Sequence, residues 1–136
     1  GYGTREVLEY LRPHMDLFKV DLKCFDDKKY RQLGGRLQNV LDTIADLRQL
    51  GFWVEVVTLV VPGFNDGDDE LAAIAKFLAS LDPAIPYSLL AFYPHFFMGD
   101  LPTTSRRHAS ECWQAAKEAG LANVKIGNLH LLSDLY

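Results

Sequence analysis

At 136 residues the chain has the size of one domain, and with 49% hydrophobic and 24% charged residues it can bury a sizeable core, which excludes disorder and collagen-like structure. Fourteen Lys plus Arg against eighteen Asp plus Glu give a net charge of -4, and no stretch gathers the basic side chains that a phosphate backbone requires, so nucleic acid is excluded as a partner. The longest apolar run, residues 56–61, is too short to cross a bilayer, and the first thirty residues lack a signal-peptide core. These features predict a cytoplasmic protein with no membrane contact. Two cysteines, Cys24 and Cys112, are too few for a disulfide framework or a self-sufficient cysteine-rich metal site. The chain opens on Gly1 rather than Met, which predicts a fragment or a processed product.

Thr4 can cap a short helix running to Arg12, with Glu6 in its first turn and Pro13 just beyond its end. Residues 16–23, D-L-F-K-V-D-L-K, alternate as a strand, with Phe18, Val20 and Leu22 on one face and Lys19, Asp21 and Lys23 on the other. Gly34 and Gly35 interrupt the chain. Over residues 36–50, Leu37, Val40, Leu41, Ile44, Leu47 and Leu50 follow helical spacing, and Gly51 supplies a left-handed stop. Residues 52–61 are β-branched and nearly all apolar, as in a strand covered on both faces. Pro62-Gly63 ends it, and Asn65 or Asp66 is predicted to cap a helix whose inner stripe is Leu71, Ile74, Ala75, Leu78 and Leu81. A strand over residues 87–93 and an aromatic, proline-containing loop follow. Thr104 or Ser105 then opens a helix with Ala109, Cys112, Trp113 and Ala116 inward and Gly120 at its end, and residues 123–127 form the last strand.

Helices and strands thus alternate, without a linker, through a single domain over residues 1–136, and the helix-Gly-strand junctions at Gly51 and Gly120 repeat one another. The predicted fold class is α/β, with parallel strands and flanking helices. Four strands cannot close a barrel, and a full (β/α)8 barrel takes ~250 residues, so the chain reads as part of a barrel or as an open sheet.

The charges at Lys19, Asp21 and Lys23 need a polar cavity or each other, because a parallel strand is covered on both faces. Two readings stand open: a structural Lys-Asp ion pair, or a ligand site at the strand's C-terminal end. Glu55, a lone acid in an apolar strand, is expected to pair with a lysine such as Lys19. The turn V-V-P-G-F-N-D, residues 60–66, is a βα loop on the face that carries β/α active sites. The run F-Y-P-H-F-F-M, residues 92–98, reads as a hydrophobic lid or partner patch in preference to a site with His95 as base, since His95 has no paired acid in the sequence. His14, His108 and His130 have no metal-ligand spacing, nothing near Cys24 argues for an activated thiol, and Cys112 reads as helix core. No metal ligand and no catalytic residue is assigned.

Taken together, Gly1-Tyr2 with a helix behind it, D-L-F-K-V-D-L-K-C-F-D-D, L-G-G-R, V-V-T-L-V-V-P-G-F-N-D and F-Y-P-H resemble the C-terminal half of radical S-adenosylmethionine enzymes, in the branch of the pyruvate formate-lyase activating enzymes and their AmmeMemoRadiSam-system relatives. The resemblance implies the C-terminal half of a partial (β/α)6 TIM-like barrel, beginning in a T-N-G-[YF] segment whose Gly and Tyr match Gly1 and Tyr2. Asp21 and Lys23 match the family's D-x-K pair, which contacts the ribose and methionyl parts of S-adenosylmethionine. Tyr93 matches loosely a cofactor-contacting histidine, with His95 as a substitute, and Val57 stands where relatives can carry a carboxylate-binding arginine.

The family's C-x3-C-x2-C loop and G-G-E segment occur nowhere in the chain. S-adenosylmethionine and a 4Fe-4S cluster are therefore cofactors implied for the full-length protein, and neither is expected to bind stably to this chain. The implied full-length activity is reductive cleavage of S-adenosylmethionine to methionine and a 5′-deoxyadenosyl radical, with a protein substrate such as a glycyl radical enzyme, or a small molecule, as partner. The chain is expected to self-associate. A catalytically silent half-barrel serving as a binding or assembly module is the alternative, and a phosphate-handling half-barrel with its site at residues 63–66 fits the D-x-K strand less well.

Overall fold

The structure, a computed structural model, describes residues 1–134. Four strands, β1 (Leu17–Asp21), β2 (Trp53–Val60), β3 (Tyr87–Ala91) and β4 (Val124–Gly127), form one wholly parallel sheet in the order β1-β2-β3-β4. Between them run α1 (Arg5–Leu11), ahead of β1, then α2 (Asp27–Gln32), α3 (Leu37–Gln49), α4 (Asp68–Leu81) and α5 (Arg106–Glu118). This is the α/β arrangement of a segment of a β/α barrel, as the alternation predicts.

Each strand joins its immediate neighbour through helical connections, which puts the helices on one face when every crossover has the usual hand. The core lies there: Val20, Val54, Val56, Val60, Tyr87 and Leu89 pack with Ile44 and Leu47 of α3, Leu71, Ile74 and Leu78 of α4, and Cys112 and Ala116 of α5. Each fully buried Leu or Ile contributes roughly 1.5–3 kcal/mol. Gly51 (φ 79°) and Gly120 (φ 108°) end α3 and α5 in the left-handed region, where a side chain would be strained, and turn the chain directly toward β2 and β4.

On the sheet's second face the register sets Lys19 beside Glu55, and a row of Asp21, Val57, Ser88 and Lys125 crosses all four strands. Val57 and Ser88 are buried at its centre, while Lys19, Asp21 and Lys125 are exposed.

Several expectations change. All four strands are shorter than predicted, because regular pairing stops before their outermost predicted residues; past the end of β1, Leu22 still donates to the Val57 carbonyl at 3.0 Å. The six-residue α2 lies outside the predicted elements; it is capped by Asp26, which accepts from the Lys29 amide, and buries only Tyr30, so it shows no apolar period. The predicted cap of α4 is corrected: Gly67 holds that position, and Asn65 and Asp66 have other partners. Of the two candidates for α5, Ser105 is the cap, accepting from the His108 amide. Among the described residues, no helix is long and apolar enough to cross a membrane.

Candidate functional site: a cleft at the strand ends

A cleft of about 560 Å³ opens at the C-terminal ends of β1, β2 and β3, where β/α folds carry their sites. Asp21 and Lys23 line it, as strand alternation requires, beside apolar walls from Leu59, Val61, Phe64 and Phe92. Lys23 Nζ stands 3.2 Å from Asp21 Oδ2, with both side chains about half exposed. Such a pair is worth at most about 1 kcal/mol and can open around a ligand. The ion pair and the cavity, alternatives in the sequence, therefore coexist.

The main chain beneath this pair is held from both sides. The Lys23 amide donates to the Tyr30 hydroxyl at 2.9 Å, and the Lys23 carbonyl accepts from Asn65 Nδ2 at 2.6 Å. Asn65, 1% exposed, also donates to the Leu59 carbonyl at 2.7 Å and accepts from the Val61 amide at 2.7 Å, so one side chain locks the ends of β1 and β2 together. Thr104 does the same between β2 and β3, accepting from the Phe92 amide at 2.8 Å and donating to the Val60 carbonyl at 2.9 Å. Asn128, in a left-handed conformation at φ 56°, reaches the Ala91 carbonyl at 3.3 Å. Loop side chains therefore cross-lace the strand ends that present the cleft.

The L-G-G-R segment supplies a further wall. An ideal Cβ on Gly35 would lie 3.2 Å from the Tyr2 hydroxyl and 3.3 Å from Tyr30 Cδ1, so the two tyrosines pack closely over this position and a side chain there would have to push them aside. Burial pushes the Tyr30 hydroxyl up to about 12, against the opposing pull of the Lys23 N–H, so it stays protonated at neutral pH.

Not every candidate reaches the cleft. Tyr93 and His95 are exposed and absent from its lining, which takes Phe92 and Met98 from that segment instead. Around them Phe96 and Phe97 are 81% and 91% exposed, and Phe96 has the unusual φ of 54°. The expected Lys19–Glu55 ion pair does not form among the described residues; the two stand side by side in register, and the exposure of Lys19 leaves it hydrated without a partner. Cys24 is fully buried and its thiol is raised by that burial; Cys112 is fully buried in α5. Among the described residues no three His, Cys, Asp or Glu side chains gather as a metal centre.

His108, which sequence spacing left unassigned, donates from Nε2 to the Asp66 carbonyl at 2.7 Å and ties α5 to the V-P-G-F-N-D loop. Asp66 in turn accepts from the Gly63 amide at 3.0 Å and closes that loop.

No protein-family model matches the chain. It is 33% identical over 130 residues to an uncharacterized protein of Methanocaldococcus jannaschii, a match covering 95% of this chain and 38% of that protein. It is 30% identical over 89 residues to the pyruvate formate-lyase-activating enzyme of Staphylococcus aureus, covering 62% of this chain and 34% of that enzyme. The chain thus spans less than two fifths of the length of these relatives. The crystal structure of a domain of pyruvate-formate lyase-activating enzyme from Bacteroides vulgatus superimposes with a TM-score of 0.80 at 23% identity, over 92% of this chain and 75% of that one. The fold is therefore that of an activating-enzyme domain, and the sequence is similar to such an enzyme.

Proposed function

We infer that this chain is the S-adenosylmethionine-cradling part of a longer radical S-adenosylmethionine enzyme, in the branch of the pyruvate formate-lyase activating enzymes and their AmmeMemoRadiSam-system relatives. The observation that carries this reading is the Asp21–Lys23 pair at the lip of a 560 Å³ cleft, in a chain 30% identical to an activating enzyme.

The lining suits a nucleoside that bears an amino-acid group: apolar walls for a base, a carboxylate for hydroxyls or an amine, an ammonium for a carboxylate. In this reading Asp21 and Lys23 exchange their mutual contact for contacts to the ligand, while Tyr30 and Asn65 hold the Lys23 main chain still. The residues do not suit an iron–sulfur cluster, since both cysteines are buried and no third thiolate exists. The cluster ligands would come from elsewhere in the longer protein, and the chemistry supplied when both cofactors are bound is reductive cleavage of the sulfonium. A polypeptide such as a glycyl radical enzyme is the partner this branch would serve, with a small-molecule substrate as the alternative.

The test begins with the gene: a C-x3-C-x2-C segment is expected roughly a hundred residues upstream of Gly1, as two to three further βα units would require. The intact product, reconstituted anaerobically with iron and sulfide and then reduced, should convert S-adenosylmethionine to methionine and 5′-deoxyadenosine. D21N and K23M should each lower the yield at subsaturating cofactor. An upstream sequence without such a segment, or wild-type rates in both variants, refutes the reading and leaves a silent half-barrel.

A further inference from the structure

The polar groups of the cleft differ in how far the protein itself satisfies them. Asn65 uses its carbonyl oxygen once and both amide hydrogens. Asp21 and Lys23 engage each other at the lip, where water reaches them. The Tyr2 hydroxyl accepts from the Arg36 amide at a position that is 57% exposed. Tyr30 is different. It is 4% exposed and lines the cleft, and its oxygen accepts from the Lys23 amide, but among the described residues its O–H hydrogen meets no acceptor.

A hydroxyl whose hydrogen no protein acceptor takes is costly to bury unless the cleft itself supplies the acceptor, so the O–H is available to whatever occupies the cleft. Asp21, the nearest acidic lining residue, is engaged with Lys23 and makes no hydrogen bond to Tyr30. The proton also cannot be shed near neutral pH, since burial holds the phenol up at about 12. Tyr30 is therefore a fixed donor, anchored by α2 and by the Lys23 amide.

We propose that Tyr30 is a ligand-binding residue of this cleft: its hydroxyl relays the Lys23 N–H and donates its own proton to an oxygen of the bound ligand. The inference rests on the functional reading above and adds to it a residue outside the D-x-K pair. The acceptor is a ligand oxygen, of either the ribose or the amino-acid carboxylate, and the two sources separate experimentally.

The experiment uses the 136-residue chain with 3-fluorotyrosine placed at position 30 and the Lys23 amide labelled with 15N, titrated with millimolar S-adenosylmethionine, 5′-deoxyadenosine or methionine. Weak saturable binding is expected, with the position-30 fluorine and the Lys23 amide shifting together. Y30F should weaken S-adenosylmethionine binding about tenfold, the worth of one buried hydrogen bond. A similar loss toward 5′-deoxyadenosine assigns the acceptor to the ribose; a loss toward methionine with 5′-deoxyadenosine unchanged assigns it to the carboxylate. The fluorine measurement needs no substitution of the hydroxyl, so it decides even if Y30F fails to fold. If S-adenosylmethionine shifts the Lys23 amide but leaves the fluorine unmoved, Tyr30 is a scaffold residue and this proposal fails while the functional reading stands. If none of the three probes shifts either signal, this proposal fails, and the functional reading is decided separately by the intact product.

Discussion

Asn65→Ala is the sharpest perturbation of the cleft that leaves its ligand-facing side chains in place. It removes three hydrogen bonds of 2.6–2.7 Å made by a side chain 1% exposed to solvent. At roughly 1 kcal/mol net each, the loss is about 3 kcal/mol, and the orphaned Lys23 and Leu59 carbonyls leave little chance of recovery by solvent. For a domain of this size that lowers the melting temperature by on the order of 10 °C. Asn65→Asp keeps an acceptor for the Val61 amide but sets a carboxylate against two carbonyl oxygens. It should cost more than Asn65→Ala at pH 7, with the gap closing as the acid is protonated toward about pH 4. Urea unfolding of the three proteins at both pH values gives the numbers. A cost below about 0.5 kcal/mol for Asn65→Ala, the level of an ordinary surface substitution, would show that the strand ends are not held as argued.

Thr58→Val should cost roughly 2 kcal/mol, because it strips the partner from the buried Tyr87 hydroxyl (2.9 Å) and from the Leu22 carbonyl (2.7 Å); Tyr87→Phe combined with it should cost less than the sum of the two single changes, and additivity would refute the coupling. On the alkaline side, tyrosines of the unfolded chain ionise near pH 10, whereas burial raises Tyr30 to about 12 and Tyr87 further still. The unfolded state then binds fewer protons than the native one, so stability should fall as pH rises above about 10, by up to ~1.4 kcal/mol per pH unit for each tyrosine; urea midpoints that stay level from pH 9 to 11 would contradict this. Strand β1 pairs with β2 on one side only among the described residues, so the chain should self-associate through that edge at micromolar concentration. Light scattering from a monomer at every concentration would sink that expectation.

The sequence discloses what depends on periodicity and conceals what depends on tertiary reach. Lys19, Asp21 and Lys23 share a face because a strand has period two, and α3 shows its stripe because thirteen residues give three turns of it. Asn65 departs from the expected cap for a physical reason: a cap accepts a helix amide on its side-chain oxygen, and here the Val61 amide holds that oxygen while carbonyls of two strand ends take its amide hydrogens. Tyr30 sits in a six-residue helix with no apolar period, and its partner lies seven residues upstream at a strand end, a contact that no local pattern encodes. For Tyr93 and His95 the strand ends at Ala91 and not at the predicted residue 93, and past the buried Phe92 the chain turns its aromatics outward.

The division of labour in the cleft follows from which groups are held and which are free. Ordering two long charged side chains in advance would cost entropy and yield little in water, so a surface Asp–Lys pair is a poor scaffold. The main chain is a better one, since an amide and a carbonyl held at 2.9 and 2.6 Å by buried partners have almost no freedom left to lose. Lys23 thus has a fixed backbone under a mobile ammonium. A ligand that engages it needs to reorganise only the last bonds of two side chains, because the strand end that aims them is already set. The same logic places Tyr30 and Gly35 together: the missing Cβ of Gly35 is the space into which the Tyr2 and Tyr30 rings pack, which helps to fix the Tyr30 donor. Loosening Asn65 should therefore harm binding more than its distance from the two charged heads suggests, because it unfixes the peptide from which Lys23 projects.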